Sequence, residues 1–331
     1  MGANNFKLGN PDLVSVIIPV HNRFEMAVRA IRSVVDQTYR PIEIIVIDDL
    51  STVNFSYPDE IKDDEGISLV IERTNENIGP GAAREIGRLK CKGNYLSYLD
   101  SDDQYKPEYL KKMIQYLKDN PVIDMVYCHS KYMSPEGVVL DESVKKTDVE
   151  YKHILPYLIT HGRPWHSSAC VRRRSLTDKI GPWEKLWNWE DYDYDARAGL
   201  INNNIGYISE VLCYIDKEHI VKVSKNPDSP KKNRSYGMSI CNIARNIDNS
   251  DHDKSDLRNK VIYHLMKSAA RNLDHGYYKI AQNNLNQLLN WVDVYKGTYF
   301  LVHLLIIGNS LKLGVIVSKI LRKLAQRFKF I

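Results

Sequence analysis

The stretch NYLSYLDSDD, residues 94–103, runs from an apolar and aromatic segment into three carboxylates, Asp100, Asp102 and Asp103. The first seven residues read as a buried strand. Pro107 then opens a helix. Like charges crowded at a strand end repel, and ionised together they need a cation or a wet site. A divalent ion held by oxygen ligands meets that need, and Mn2+ or Mg2+ commonly shares such carboxylates with a substrate phosphate. Alone, an acidic pair at this spacing is more often a solvated turn that caps the next helix. Its surroundings therefore decide the reading.

Outward from this stretch the same design recurs. VSVIIP (14–19) is a β-branched run closed by Pro19, and IEIIVIDD (42–49) is a second buried strand. Between them, HNRFEMAVRAIRSVVDQT (21–38) sets Phe24, Ala27, Val28, Ile31, Val34 and Val35 at helical spacing, with Asn22 in the N-cap position. ISLVIER (67–73) is a third, weaker strand, and GPGAAREIGRLKC (79–91) a glycine-rich turn entering a helix. DMVYCHS (124–130) is a fifth strand. Strands that are apolar throughout and alternate with helices predict an α/β fold with a mainly parallel sheet covered on both faces. Ligands bind beyond the carboxyl ends of such strands. Three of those ends carry polar clusters, His21-Asn22, Asp48-Asp49 and the Asp100 group, and are predicted to converge on one edge.

After residue 150 the pattern loosens. ISEVLCYI (208–215) reads as one more strand, VSKNPDSPKKNRS (223–235) as a linker, and the remainder as helical. The expected division is a catalytic domain over 1–225 and a helical C-terminal region over 226–331.

The chain has 331 residues, 43% of them hydrophobic, enough for a sizeable core. Its net charge is +5, and no acidic residue follows Asp293, whereas Lys296, Lys312, Lys319, Arg322, Lys323, Arg327 and Lys329 do. A basic tail of this kind points to an anionic surface as partner; nucleic acid is not among the expected partners. Cys91, Cys128, Cys170, Cys213 and Cys241 are scattered and form no CxxC pair, which reads as buried thiols in a reducing compartment. The N-terminus lacks a signal pattern, and Phe6 breaks the myristoylation pattern. YFLVHLLIIG (299–308) is too short to span a bilayer. The expected location is cytoplasmic, with peripheral contact at the inner face of the cell membrane.

VSVIIPVHN, IEIIVIDDLS, NENIGPGAAREIG and YLDSDDQYKPEYL, in this order and at these spacings, resemble the family 2 glycosyltransferases of the GT-A fold. NWEDYDYDARAG stands where that family carries its acidic acceptor-side motif, so the resemblance covers about 14–215. It implies an inverting transferase. Such an enzyme moves a sugar from a nucleotide-diphosphate donor to a hydroxyl of a glycan or lipid-linked acceptor in surface polysaccharide synthesis, with Mn2+ or Mg2+. Carried over position by position, Pro19 and His21 line the base pocket, although the family often has Tyr where His21 stands. Asp49, with Asp48 beside it, is the acid that hydrogen-bonds the base, which favours a UDP-sugar. Asn77, Gly79 and Arg84 lie beneath the donor. Asp100, with Ser101 beside it, falls at the ribose or a metal-bound water. Asp102 is the expected direct metal ligand, with Asp100 and Asp103 in support and His219 as a loose further match. Asp191 is the expected general base and Glu190 its neighbour. Trp165 and His166 fall between the donor and acceptor motifs, and Trp165 reads equally as a sugar platform or a core residue.

Two rival readings are weaker. A nucleotidyltransferase opens with a glycine-rich, basic phosphate loop after its first strand, and PVHNRFEM has no glycine. A scaffold with a decayed site is at odds with the intact acids at 49, 100, 102 and 191. The tail from Tyr299, with Leu301, Leu304, Leu305, Leu311, Leu313, Ile316, Val317, Ile320, Leu321 and Leu324 among basic charges only, reads as a helix in a bilayer interface, as a helix packing on the rest of the chain, or as an oligomer contact.

Overall fold

The computed structural model describes residues 10–56, 66–134, 136–144, 147–217, 230–251, 254–255, 257–291, 302, 305–306, 308–309 and 313–328. The chain divides into two compact units. One holds the described residues within Met1–Ile154, Arg163–Lys185 and Ile201–Lys225, and the other those within Leu155–Gly162, Leu186–Leu200 and Asn226–Ile331.

The first unit is built on a nine-stranded sheet of order β3-β2-β1-β4-β8-β6-β9-β5, with β7 paired to β6. The strands are β1 (Val14–Val20), β2 (Ile42–Asp48), β3 (Ile67–Arg73), β4 (Tyr95–Tyr98), β5 (Gln104–Tyr105), β6 (Met125–Met133), β7 (Val139–Ser143), β8 (Cys170–Arg173) and β9 (Gly206–Asp216). The parallel half is β3-β2-β1-β4, in which Val20, Asp48 and Arg73 share one level. Beyond it the sheet is mixed: β8 lies antiparallel to β4 and to β6, and β9 runs parallel to β6. The sequence reading lacks β5, β7 and β8 because they are two to five residues long, and CVRR of β8 carries two arginines. Pairing with neighbouring strands, which supplies partners for the backbone groups, makes them strands.

Both faces of β1 and β2 are covered, which is why the two strands are apolar throughout. Val14, Val16, Ile18 and Val20 join Ile42, Ile44 and Val46 in one core with α1 (Phe24–Val35) and α3 (Tyr109–Asp119). Ile17 faces the other side, towards α2 (Pro80–Lys90), so closely that a Cβ on Gly87 would lie 2.4 Å from its Cγ2. At the amino ends of the strands the buried Glu43 accepts hydrogen bonds from Ser15 Oγ and from the backbone N–H groups of Lys92 and Gly93. All five cysteines are buried and unbridged.

Asn22 does not cap α1. The residue before the helix is Arg23. Asn22 sits at φ 55°, a left-handed conformation, and its Oδ1 accepts from the Thr52 N–H at 2.7 Å. Its side chain is spent on the loop after β2, leaving none for the helix end.

The second unit is helical in its described residues. It contains α4 (Tyr157–Thr160), most of α6 (Glu190–Ile201), and the helices Pro230–Asp248, Arg258–Asp274, Tyr278–Leu289 and Gly314–Phe328. The short helix α5 (Arg174–Ile180) belongs to the first unit.

Candidate active site

The carboxyl ends of β1, β2 and β4 carry His21, Asp48-Asp49 and the Asp100 group, as their strand assignments require. Asp48 is a loop anchor. Its oxygens accept from Ser51 N at 2.9 Å and Phe55 N at 3.4 Å, and Arg73 Nη1 lies 2.7 Å away. Burial alone would raise its carboxyl, but the hydrogen bonds from Ser51 and Phe55 and the Arg73 charge outweigh it and hold the group below its ordinary value.

Asp49 clamps the turn that leads into α2. One oxygen accepts the Ile78 N–H at 2.7 Å and the other the Gly79 N–H at 2.8 Å. Gly79 sits at φ 86°, which side-chain-bearing residues rarely adopt, and Pro80 follows as the first residue of the helix. The Asp49 carbonyl accepts from His21 Nδ1 at 2.7 Å and from Asn77 Nδ2 at 3.1 Å. His21 Nε2 faces the Asn22 amide nitrogen at 3.1 Å, which fixes the tautomer with the proton on Nδ1. His21, Asp49, Asn77 and Gly79 are thus one hydrogen-bonded group, while Pro19 stands on β1 beside Ile47.

Next to it lies the acidic cluster. Arg84, buried on α2, places Nη2 2.7 Å from Asp100 Oδ1. Arg23 Nη1 lies 3.0 Å from Asp102 Oδ2. Asp103 accepts from Ser168 Oγ at 2.5 Å and from the Asp216 N–H at 3.1 Å, and His166 Nδ1 is 3.4 Å from its Oδ2. Ser168 Oγ in turn accepts the Asp100 N–H at 3.1 Å. Ser101, within the turn, is buried.

Burial opposes ionisation of all three acids, and their neighbours separate them. At Asp100 the charges of Arg84, His166 and Arg23 outweigh burial and bring the carboxyl down to about 2. At Asp102 burial, with Asp100 and Asp216 nearby, outweighs Arg23 and lifts the carboxyl to about 6. Asp103 is raised well above its ordinary value by burial and by both neighbouring acids. Ligand atoms of Asp100, Asp103 and His166 all lie within 4.8 Å of one another. Two carboxylates and an imidazole, crowded by like charge that a cation would relieve, are a fitting donor set for Mn2+ or Mg2+. Asp102 stands outside this set, paired with Arg23.

Arg23, Ser168 and Asp216 complete the cluster but stood out from no motif, and the sequence places His166 only between the donor and acceptor motifs; they arrive from the start of α1, from the segment before β8 and from the end of β9. Trp165, open to two readings in the sequence, is a core residue: it is fully buried, with its ring 5.6 Å from that of Tyr127. His219 lies outside the described residues.

Glu190 and Asp191 open α6, with Asp193 in the same first turn. The residue before them, Trp189, sits at φ 65°. Its ring stacks on Tyr192 at 4.2 Å and meets Tyr236 edge-on at 4.6 Å, and its carbonyl accepts from Ser239 Oγ at 2.9 Å. Tyr236 Oη lies 2.9 Å from His264 Nδ1. Glu190 is buried and Asp191 half-buried.

A family model, glycosyl transferase family 2, matches residues 15–181, half of the chain. The chain belongs to glycosyl transferase family 2. Among curated relatives of this family 2 chain is an uncharacterised glycosyltransferase of Rickettsia conorii, 36% identical over 124 residues. The match takes in 37% of this chain and only 20% of the Rickettsia protein, so the chain spans about a fifth of that relative's length. Among solved structures, residues 1–349 of Staphylococcus aureus TarS in complex with UDP superpose with a TM-score of 0.64 at 18% identity, over 95% of this chain and 91% of that one. A Pyrobaculum calidifontis mannosyltransferase in complex with GDP-Man and Mn2+ superposes with a TM-score of 0.52 at 12% identity, over 93% and 86%. At these identities both likenesses establish the fold, which is GT-A.

Proposed function

We propose that this family 2 chain is an inverting glycosyltransferase that moves a sugar from a nucleotide-diphosphate donor, preferably a UDP-sugar, to a hydroxyl of a glycan or lipid-linked acceptor in surface polysaccharide synthesis. The observation that carries the proposal is the pairing, in one unit, of the Asp49–His21–Asn77 group with the Asp100–Asp103–His166 cluster. The first suits a nucleobase and the second a diphosphate with its cation. Each Asp49 oxygen accepts one short backbone bond, from Ile78 or Gly79, and one longer side-chain bond of 3.3 Å, from Thr74 Oγ1 or Asn77 Nδ2; an imide N–H, the donor that uracil presents, would take the place of one of the longer bonds. TarS, which holds UDP, lends the same support, whereas the Pyrobaculum enzyme holds a guanine nucleotide on the same fold.

Asp100, Asp103 and His166 would hold Mn2+ or Mg2+, which when bound supplies positive charge against the leaving diphosphate. Arg84 and Arg23 hold Asp100 and Asp102 in place. Asp191 takes the proton of the acceptor hydroxyl, with Glu190 beside it. The acceptor oxygen forms its bond to the anomeric carbon as the bond to the diphosphate oxygen breaks, and inversion follows from attack opposite the leaving group.

The test is the thermal midpoint of the full chain with UDP, GDP, dTDP and CMP, each with and without Mn2+. A ligand that binds only the folded state raises the midpoint with its concentration. Stabilisation by UDP that needs Mn2+ and disappears in Asp100→Asn supports the donor site. No shift with any nucleotide overturns it. Retained UDP binding with unchanged donor turnover in Asp191→Ala would remove the base assignment alone.

A further inference from the structure

The helix Gly314–Phe328 is amphipathic in an unusual sense, because both of its sides carry apolar residues. Val317, Leu321 and Ala325 are buried, and the helix packs along Arg258–Asp274 within the helical unit. That side accounts for its place in the fold. The other side exposes Val315 by 68%, Ile316 by 57% and Ile320 by 37%, with Leu313 just ahead of the helix at 47%. Scattered apolar residues on a surface need no explanation, but four within eight positions, three of them on one helix, do. Tyr278 borders them: a Cβ on Gly314 would lie 3.0 Å from its ring.

The charges on this helix are of one sign. Lys319, Arg322 and Lys323 are exposed on the same helix. The adjacent helices Arg258–Asp274 and Tyr278–Leu289 add Arg258, Lys260, Lys267, Arg271 and Lys279 against Asp274 as their one acid, and Asp274 is paired with Arg322. No acidic residue follows in the sequence after Asp293. No helix among the described residues is long and apolar enough to cross a membrane. We infer that the outer face of Gly314–Phe328 docks on an anionic lipid surface, with Val315, Ile316 and Ile320 entering the headgroup boundary and Lys319 and Lys323 facing lipid phosphates. Apolar side chains flanked by cations, on three helices whose one acid is the paired Asp274, fit the interface of an acidic bilayer. A second copy of the same face would bring like charges together.

The experiment is flotation of the full chain with vesicles of phosphatidylcholine, with and without phosphatidylglycerol, at low and high salt. The expected result is flotation with the anionic vesicles only, weakened by salt. Lys319→Ala/Lys323→Ala is expected to lower partition by about fivefold per charge removed, and Val315→Ser/Ile316→Ser by about tenfold. These side chains are exposed, so the thermal midpoint should not move; should one pair misfold, the other decides. Equal flotation with neutral vesicles, no flotation with either, or variants that float like the parent overturns the inference. A dimer that dissociates in these variants, without vesicle binding, assigns the face to a second copy and also overturns it.

Discussion

Arg84 and Asp100 form an ion pair of 2.7 Å between α2 and the end of β4, and the Arg84 guanidinium also lies 5.1 Å from the centre of the Trp183 ring. The pair ties the helix that follows the Gly79 turn, which Asp49 clamps, to the acidic cluster.

Replacing Arg84 by Met keeps much of the volume and removes the charge. Asp100 retains about a quarter of its side-chain exposure, so the loss in stability is expected at about 2 kcal/mol, below that of a fully buried pair. Urea unfolding measures it. The pH dependence follows from Asp100, which titrates at about 2 in the fold and at about 3.9 when unfolded. Its contribution is complete above the unfolded value and is lost as pH falls through the folded one. Arg84→Met is expected to flatten that acid limb.

Asp103 has the opposite sign. Its carboxyl is raised in the fold by burial and by Asp102 and Asp100, so it costs stability as pH rises above the ordinary carboxylate value. Asp103→Asn without metal is therefore expected to unfold at or above the parent's midpoint at neutral pH. Added Mn2+, which should stabilise the parent, is expected to leave the variant unchanged. A variant still stabilised by Mn2+ would show that Asp103 is not a ligand.

Asp49→Ala removes the acceptor of two backbone N–H groups, those of Ile78 and Gly79. A cost on the order of 2 kcal/mol is expected, together with faster amide exchange at Ile78 and Gly79. Asp49→Asn keeps one acceptor oxygen and should fall between the two. Unchanged exchange at both amides in Asp49→Ala would mean that the carboxylate does not hold the turn.

His264 gives the helical unit its own pH dependence. Burial, with Lys267 and Lys260 nearby, lowers its imidazole to about 3, and Tyr236 Oη faces Nδ1. The unfolded chain takes up the proton near pH 6.5 and the folded one does not, so stability is full above 6.5 and declines towards 3, by about 1.4 kcal/mol per pH unit. His264→Phe is expected to remove that decline. A parental slope in the variant would place the titrating group elsewhere.

The core of the fold was legible because its signals are local. Strands β1, β2 and β3 of the parallel half are rich in β-branched residues and β4 is aromatic and apolar, and the bounds of β3 fall where ISLVIER puts them. The carboxyl-end rule then brings His21, Asp49 and the Asp100 group to one edge without any long-range information. Short segments such as β8 were not legible, since they are strands only by virtue of what pairs with them. Asn22 illustrates the same limit on a smaller scale: it has the residue type of an N-cap, but a backbone partner at Thr52, thirty residues away, took its side chain.

Within the site, the sequence by itself determined which strands carry the acids and that three of these crowd together at 100, 102 and 103. Their individual environments were decided by the tertiary structure alone. Asp100 faces Arg84, Asp102 faces Arg23, and Asp103 faces Ser168, Asp216 and His166, groups contributed by four separate segments. Which carboxylate is paired, which is raised and which can share a cation with an imidazole depends on charges a few ångströms away in space. Spacing along a chain fixes the chemistry available at a strand end; only folding fixes the distances over which that chemistry acts.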